Sequence, residues 1–290
     1  MSTMAISAKD VAQLRARTGA GMMDCKKALE EARGDMDKAA EILRKKGIAK
    51  AETRTERTAS QGLVVIDPAP DGKSAAMIEL NCETDFVART SDFIGLAKEL
   101  GKHAAAHAPF GVNPGSVIDA QPFQGKTVAE VVKAMSGKTG EAMSLKRVAR
   151  LEAKDGLVGA YLHHNGQSGA LVAVDGPHNE AVSELARELA LHVAFADPAG
   201  ISDADVPAEL VERERRIAEE QVAAEGKPEN IRAKIVEGKV KKFLAERTLM
   251  GQPFVRDDKK PVAELVKETA ATAGAPVTVR AIARFRVGEG

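Results

Sequence analysis

The chain has 290 residues, 44% of them hydrophobic and 3% aromatic, which predicts about two domains with cores built from aliphatic side chains. Its 42 basic residues balance 42 acidic ones, so charge gives no reason to expect nucleic acid or an anionic membrane as the main partner. Neither a secretory signal nor a membrane span is evident. The two isolated cysteines, Cys25 and Cys82, predict reduced thiols, and together these features predict a cytoplasmic protein.

Short helices are predicted at the N-terminus over residues 8–17, 22–32 and 35–46. Glycines separate the first two, and Gly34 followed by Asp35 suits the end of one helix and the N-cap of the next. Residues 1–47 are therefore predicted to form a small helical domain, a size better suited to binding than to catalysis. The polar stretch 48–61 is interpreted as a linker.

An internal repeat follows the linker. Residues 62–80 resemble residues 156–174 at an offset of 94 (62 to 156), and each copy predicts a β-hairpin around a glycine turn. The helical stretches 96–109 and 185–198 resemble each other at an offset of 89 (96 to 185). Because the offset falls by five, the first copy holds five extra residues between its hairpin and its helix.

The extra residues fall in the connection that contains the sequence ETDFVAR, residues 83–89. Since the second copy closes its hairpin and helix with a shorter connection, the scaffold does not need Asp85 or Phe86. Loops that a scaffold does not need tend to carry function. We therefore predict that Phe86 is an exposed probe and not a buried plug.

The repeat divides the core into a first half, 62–153, and a second half, 154–202. A helix is predicted over 127–135 and a further strand over 144–153. The C-terminal segment, 251–290, ends in an alternating apolar and basic pattern that predicts a strand returning to the sheet of one half.

Two highly charged helices are predicted between the core segments, over residues 203–250. Each has a narrow apolar stripe, which includes Ile217 in the first helix and Ile231 in the second. Gly226 and Pro228 interrupt the pattern. This arrangement predicts an antiparallel coiled-coil hairpin that projects from the body.

No nucleotide-binding or catalytic motif is complete. Gly-Lys-Ser/Thr triplets begin at Gly72, Gly125 and Gly137, but none has the glycine five residues earlier that a phosphate-binding loop needs. No nucleophile with a neighbouring base stands out. We therefore expect a protein that is not an enzyme and that holds no cofactor or metal.

The histidines give no clear metal site. His163 and His164 are adjacent in a predicted strand and are expected on opposite faces. His103 and His107 lie one helical turn apart but lack an evident third ligand, so a metal-dependent enzyme using them with an acid is an alternative that metal analysis would test. His192 is the repeat counterpart of His103, and the pattern alone favours a histidine packed between the two copies.

Five stretches carry a resemblance to a known family: LRARTGAGMMDCKKALEEA, NCETDFVA, GKPENIRAKIVEGKVKKF, LMGQPFVRDDKKPVAELV and RFRVGEG. From about residue 8 to its end, the chain resembles the bacterial elongation factor Ts family, nucleotide-exchange factors for the GTPase elongation factor Tu. The resemblance implies an α+β fold with a ubiquitin-associated-like three-helix domain, a core of two related antiparallel α+β halves and an inserted antiparallel coiled-coil hairpin. It also implies elongation factor Tu as the partner, without direct contact to nucleic acid or membrane.

The resemblance further implies roles for single residues. The family stretch that displaces magnesium from the GTPase corresponds to Thr84, Asp85, Phe86 and Val87. Other contacts with the GTPase are implied for Arg15, Met22, Met23 and His192. A binder of ubiquitin-like proteins, suggested by the N-terminal domain alone, is the second alternative, and it leaves the repeat and the loop unexplained.

Overall fold

The computed structural model describes residues 6–52, 57–225 and 228–289. The predicted turn residue Gly226 and positions 53–56 of the predicted linker lie outside these ranges. Within them the chain forms three N-terminal helices, a core of helices and antiparallel sheets, and a long helical hairpin. The predicted α+β fold class is confirmed.

The N-terminal domain consists of α1 (Ala8–Thr18), α2 (Met22–Glu31) and α3 (Met36–Glu52). Ser7 begins α1 with a capping box, and Gly19 ends it in the left-handed conformation, at φ 70°. The carboxylate of Asp35 accepts hydrogen bonds from the first backbone N–H groups of α3, as predicted. The predicted linker boundary at residue 48 is wrong, because α3 continues through 48–52, where alanine, lysine and glutamate favour helix.

The first half of the core contains β1 (Gln61–Pro68), β2 (Ser74–Cys82), α4 (Asp85–Ala88), α5 (Ser91–His107), β3 (Gly111–Pro114), β4 (Pro122–Phe123), β5 (Lys126–Thr127), α6 (Val128–Thr139) and β6 (Met143–Glu152). The rest of the chain contains β7 (Gly156–Leu162), β8 (Ser168–Asp175), α7 (Glu180–Ala196), α8 (Ala208–Ala224), α9 (Glu229–Arg247), β9 (Pro253–Phe254), β10 (Asp257–Pro261), α10 (Val262–Ala273) and β11 (Thr278–Arg286). Both predicted hairpins, the predicted helix after residue 127 and the predicted strand after residue 144 are confirmed.

Two antiparallel sheets form the centre of the core, with strand orders β1-β2-β6-β3 and β11-β8-β7. In β2, Ala76, Ile78 and Leu80 face the helices of the first half, whereas Ala75 and Met77 face the other sheet. Residues on β8 alternate in the same way. Both strands are therefore buried on two faces, which explains their nearly continuous apolar sequences.

The core has four layers, since α5 and α6 cover one sheet and α7 and α10 cover the other. The C-terminal strand β11 pairs with β8, as predicted for a strand returning to one half. Phe285 on β11 is fully buried between the sheets, and the Arg147 guanidinium lies over its ring. Arg147 also donates to the buried carboxylate of Glu79 at 2.6 Å, and the same carboxylate accepts the backbone N–H of Gly288 at 3.2 Å, which ties the chain end to the first half.

The structural repeat is longer than the one recognised in the sequence. Gln121 leads through the β4–β5 ribbon into α6 and β6, and Gln252 leads through the β9–β10 ribbon into α10 and β11. In both copies the glutamine carbonyl accepts a hydrogen bond from the first residue of the next helix, Val128 or Val262. The motifs QPF and VAE-V/L-VK recur in both copies. The helical hairpin is thus an insertion in the second copy, between α7 and Gln252.

The inserted helices α8 and α9 bury a seam composed of Ala218, Val222, Val236 and Val240. Ile217 and Ile231 were predicted to lie in the apolar stripe, but each is 40% exposed. The buried seam therefore contains fewer residues than the predicted stripe. At the base, backbone hydrogen bonds join 199–201 to 247–250, and Leu249 is fully buried in the core of the second half.

Candidate functional site

The ETDF turn (residues 83–86) follows β2 and leads into the short helix α4. Thr84 has an extended backbone, and its hydroxyl accepts a hydrogen bond from the N–H of Val87 at 3.4 Å, so it acts as the N-cap of α4. Thr90 caps α5 in the same way, accepting from the N–H of Phe93. Two caps six residues apart make the chain turn twice between strand and helix.

Phe86 projects from this turn into solvent and is 81% exposed, more than any other large apolar side chain among the described residues. Its neighbours hold the turn to the body, since Ala88 is buried and Val87 packs against the core of the first half. An exposed phenylalanine on an anchored turn gains nothing for folding. The predicted exposure of Phe86 is confirmed.

The underside of the turn makes specific hydrogen bonds. The Cys82 thiol donates to the carbonyl of Thr84 at 3.2 Å, and burial raises the pKa of this thiol to about 12, so it stays protonated at neutral pH. Thr84 donates its backbone N–H and its hydroxyl to the carboxylate of Glu141, at 3.0 and 2.6 Å. In return, Ala142 donates its N–H to the carboxylate of Glu83 at 2.7 Å. Glu141 is not among the site residues predicted from the sequence.

Asp85 lies at the start of α4 beside Phe86. Its carboxylate is 3.0 Å from the guanidinium of Arg89, one helical turn later. Both side chains are well exposed, so the pair adds little stability. A carboxylate held only by a solvated partner is available for another positively charged group.

A second exposed surface lies on the N-terminal domain, at the connection between α1 and α2. Met22 and Met23 are 57% and 64% exposed in the first turn of α2, and Arg15 is exposed in the last turn of α1. These three predicted contact residues are therefore exposed on the two sides of the connection between α1 and α2. The connection itself contains Gly19 in a left-handed conformation, where a β-branched side chain would be strained.

His192 is placed where a direct contact with a partner does not fit, because its side chain is fully buried in α7. Its Nε2 lies 2.9 Å from the side-chain oxygen of Gln252, and its Nδ1 accepts the backbone N–H of Val255 at 3.3 Å. The amide nitrogen of Gln252 donates to the carbonyls of Ala196 and Glu246. Burial lowers the pKa of His192, which keeps it neutral with the proton on Nε2.

This network joins α7, the end of α9 and the segment after Gln252, so His192 holds the base of the helical hairpin. The pattern-based prediction of a packed histidine fits this position better than the contact implied by resemblance, but His192 packs within the second copy and not between the two copies as predicted. Gln252 was missed, although the repeated QPF motif at 121–123 and 252–254 is a signal that identifies it.

His103 repeats this arrangement in the first half. Its Nε2 lies 2.9 Å from the side-chain oxygen of Gln121, and its ring is 4.6 Å from that of His107. Burial lowers the pKa of His103. Across 6–52, 57–225 and 228–289, no group of three or more His, Cys, Asp or Glu side chains is placed to hold a metal ion. The contact with Gln121 joins α5 to the segment that precedes the β4–β5 ribbon.

The prediction that His163 and His164 point to opposite faces is wrong, since their ring centroids are 4.2 Å apart. The strand β7 ends at Leu162, and both histidines belong to the turn that follows, so strand alternation does not apply to them. His163 bonds through Nδ1 to the hydroxyl of Tyr161 at 2.9 Å.

Comparison with known proteins agrees with these features. The family model described as Elongation factor TS matches residues 83–289. The chain is 43% identical to the elongation factor Ts of Nitratiruptor sp. over 99% of its own length and 94% of the relative's. It is 44% identical to the elongation factor Ts of Aquifex aeolicus and of Chlorobaculum parvum, over 98% of its own length and 99% of theirs.

No helix in the described parts of the chain is long and apolar enough to cross a membrane. The family model covers the ETDF turn, the first half from residue 83 onward, the second half and the helical hairpin, and the relatives match almost from end to end. The chain therefore belongs to the elongation factor Ts family and has the role of a translation elongation factor.

Proposed function

We propose that this protein binds elongation factor Tu in its GDP form and promotes GDP release by displacing magnesium with the Thr84–Val87 stretch. It then leaves the GTPase free to take up GTP, and it performs no chemical step of its own. The observation that carries this proposal is Phe86, 81% exposed on a turn that is anchored from below. The family membership supplies the partner, and translation supplies the compartment, the cytoplasm.

The energetics of exchange favour disturbing the magnesium site of the GTPase rather than contacting the nucleotide directly. A guanine nucleotide held at nanomolar affinity is bound by about 12 kcal/mol, and much of that grip runs through a magnesium ion on the phosphates. Burying one phenylalanine in a partner contributes roughly 1.5–3 kcal/mol. The phenylalanine has a larger effect through its position. By shifting the loops of the GTPase that hold the magnesium ion, it weakens nucleotide binding without contacting the base.

Binding energy for this distortion comes from additional surfaces. The exposed Arg15, Met22 and Met23 offer one contact, and the helical hairpin offers another at a distance from the turn. By linkage, this protein lowers the affinity of the GTPase for nucleotide by the same ratio by which nucleotide lowers the affinity of the GTPase for this protein. Favourable contacts at several surfaces of the partner offset the free-energy cost of distorting it at one of them.

The test is stopped-flow release of a fluorescent GDP from elongation factor Tu. We expect the protein to accelerate release strongly, Phe86→Ala to remove most of the acceleration, and Asp85→Ala to reduce it. Phe110→Ala is the matched control, because Phe110 is also exposed, at 53%, and lies at a different site in the same half. Equal activity of Phe86→Ala and the native protein would overturn the proposed role of the turn.

A further inference from the structure

The connection between α6 and β6, residues 140–142, lies beneath the ETDF turn and holds it through a single side chain. Both carboxylate oxygens of Glu141 are used: Oε2 accepts the backbone N–H of Thr84 at 3.0 Å and Oε1 accepts its hydroxyl at 2.6 Å. Hydrogen bonds to a charged acceptor are roughly twice as strong as neutral ones. Since Thr84 is the N-cap of α4, Glu141 fixes the residue from which the helix carrying Phe86 starts.

The connection is itself held in place. Gly140 ends α6 in the left-handed conformation, at φ 83°, and the carbonyl of Glu141 accepts the hydroxyl of Ser136. Ala142 donates its backbone N–H to Glu83, the residue before Thr84. The two segments therefore grip each other in both directions, and the position of the Glu141 carboxylate is set by backbone geometry.

The second half of the core supplies an internal comparison. There α10 also ends at a left-handed glycine, Gly274 at φ 67°, and the chain continues into β11 as α6 continues into β6. The residue after that glycine is Ala275, the counterpart of Glu141. The strand-to-helix connection of this half is also shorter and has no counterpart of Phe86. The carboxylate is thus present only in the copy that carries the exposed turn, although both copies fold.

We propose that Glu141 is a positioning residue for nucleotide exchange: its carboxylate holds Thr84 so that Phe86 is presented to the partner in one orientation. This rests on the proposed function of the ETDF turn. A turn ordered before binding loses less conformational entropy in the complex, so more of the contact energy is available to distort the GTPase. Scaffold stability does not require the carboxylate, as the second half shows.

The first test uses the free protein and needs no partner. In Glu141→Ala, the backbone amides of residues 87–89, which are bonded within the turn, should exchange with solvent deuterium at least about tenfold faster. Amides of β8 in the other half should be unchanged. Glu152→Ala, at the exposed far end of β6, is the matched control and should leave both regions unchanged. Unaltered protection of the turn in Glu141→Ala would overturn the proposal.

The second test measures GDP release from elongation factor Tu at saturating factor. The maximal rate with Glu141→Ala should fall about tenfold, with little change in the half-saturating concentration, since the other contact surfaces remain. Glu141→Gln keeps the size and one acceptor and should show an intermediate rate, and it replaces the alanine variant if that variant does not fold.

A double variant separates positioning from a direct effect. If Glu141 acts through Phe86, adding Glu141→Ala to Phe86→Ala should slow GDP release no further. An additional slowing of similar size in that background would overturn the proposal. If Phe86→Ala itself has normal activity, the proposed function of the turn fails, and the deuterium-exchange experiment still decides whether Glu141 orders it.

Discussion

The first half of the core leaves β2 at Cys82 and enters α5 at Ser91, whereas the second half leaves β8 at Asp175 and enters α7 at Glu180. The helices and strands on either side are equivalent, and so are their layers and their His–Gln pairs, which are half-buried in the first half and buried in the second. The longer connection carries α4 and the exposed Phe86, and the Glu141 carboxylate anchors it from the separate connection between α6 and β6. In the second half the addition is elsewhere, as the hairpin of α8 and α9. Each copy therefore contains the same scaffold and one additional element, the ETDF turn in the first and the helical hairpin in the second.

Scaffold positions and added positions differ in the burial of their side chains. His192 was expected to touch a partner, yet it occupies a scaffold position shared with His103 and is buried. Phe86 occupies an added position and is exposed. Whether a position has a counterpart in the other copy therefore distinguishes the buried His192 from the exposed Phe86.

The largest expected effect is on stability and contrasts two phenylalanines of the first half. Phe93 is fully buried in α5 and belongs to the scaffold, so Phe93→Ala should lower the free energy of unfolding by about 3–5 kcal/mol. Phe86→Ala should change it by about 0.5 kcal/mol or less. Urea unfolding followed by circular dichroism measures both. Similar losses for the two variants would show that the turn is part of the core.

A smaller effect is expected from pH and tests the paired histidines. Burial lowers the pKa of His192 and of His103 in the folded protein. Below about pH 6.5 these histidines are protonated in the unfolded chain but not in the folded protein. The free energy of unfolding should therefore be highest above that pH and should fall as the pH decreases. Chemical denaturation at several pH values between 7.5 and 5 measures the slope. The slope should be shallower in His192→Gln, and an identical slope would mean that folding does not change the pKa of His192.

A small effect on stability is also expected from removing the hairpin. Replacing residues 208–243 by a short Gly/Ser linker keeps the base contacts of Leu249 and Gln252, while the removed seam packs mainly against itself. The core should unfold cooperatively with a free energy changed by about 1 kcal/mol or less. Thermal melting checks this. In GDP release from elongation factor Tu, the variant should need a higher concentration to reach half of its maximal effect. Loss of cooperative melting would show that the hairpin is part of the core.

Much of the architecture could be predicted from residue patterns. The hairpins of both halves, the alternation in β11 and the cap at Asp35 follow from local chemistry, and the structure confirms them. The exposure of Phe86 followed from comparing two connections of unequal length. The first boundary to fail was the end of α3, where helix-forming polar residues resembled a linker.

The sequence by itself determined the local elements, the repeat and the one connection that the scaffold could do without, because these depend on periodicity and on neighbours along the chain. Only the tertiary structure decided which side chains meet across the fold. The Thr84–Glu141 and His192–Gln252 contacts join residues 57 and 60 positions apart, and the Glu79 carboxylate accepts the backbone N–H of Gly288, 209 positions away. Local sequence cannot specify such contacts, since packing of the layers brings these groups together and determines whether water can reach them.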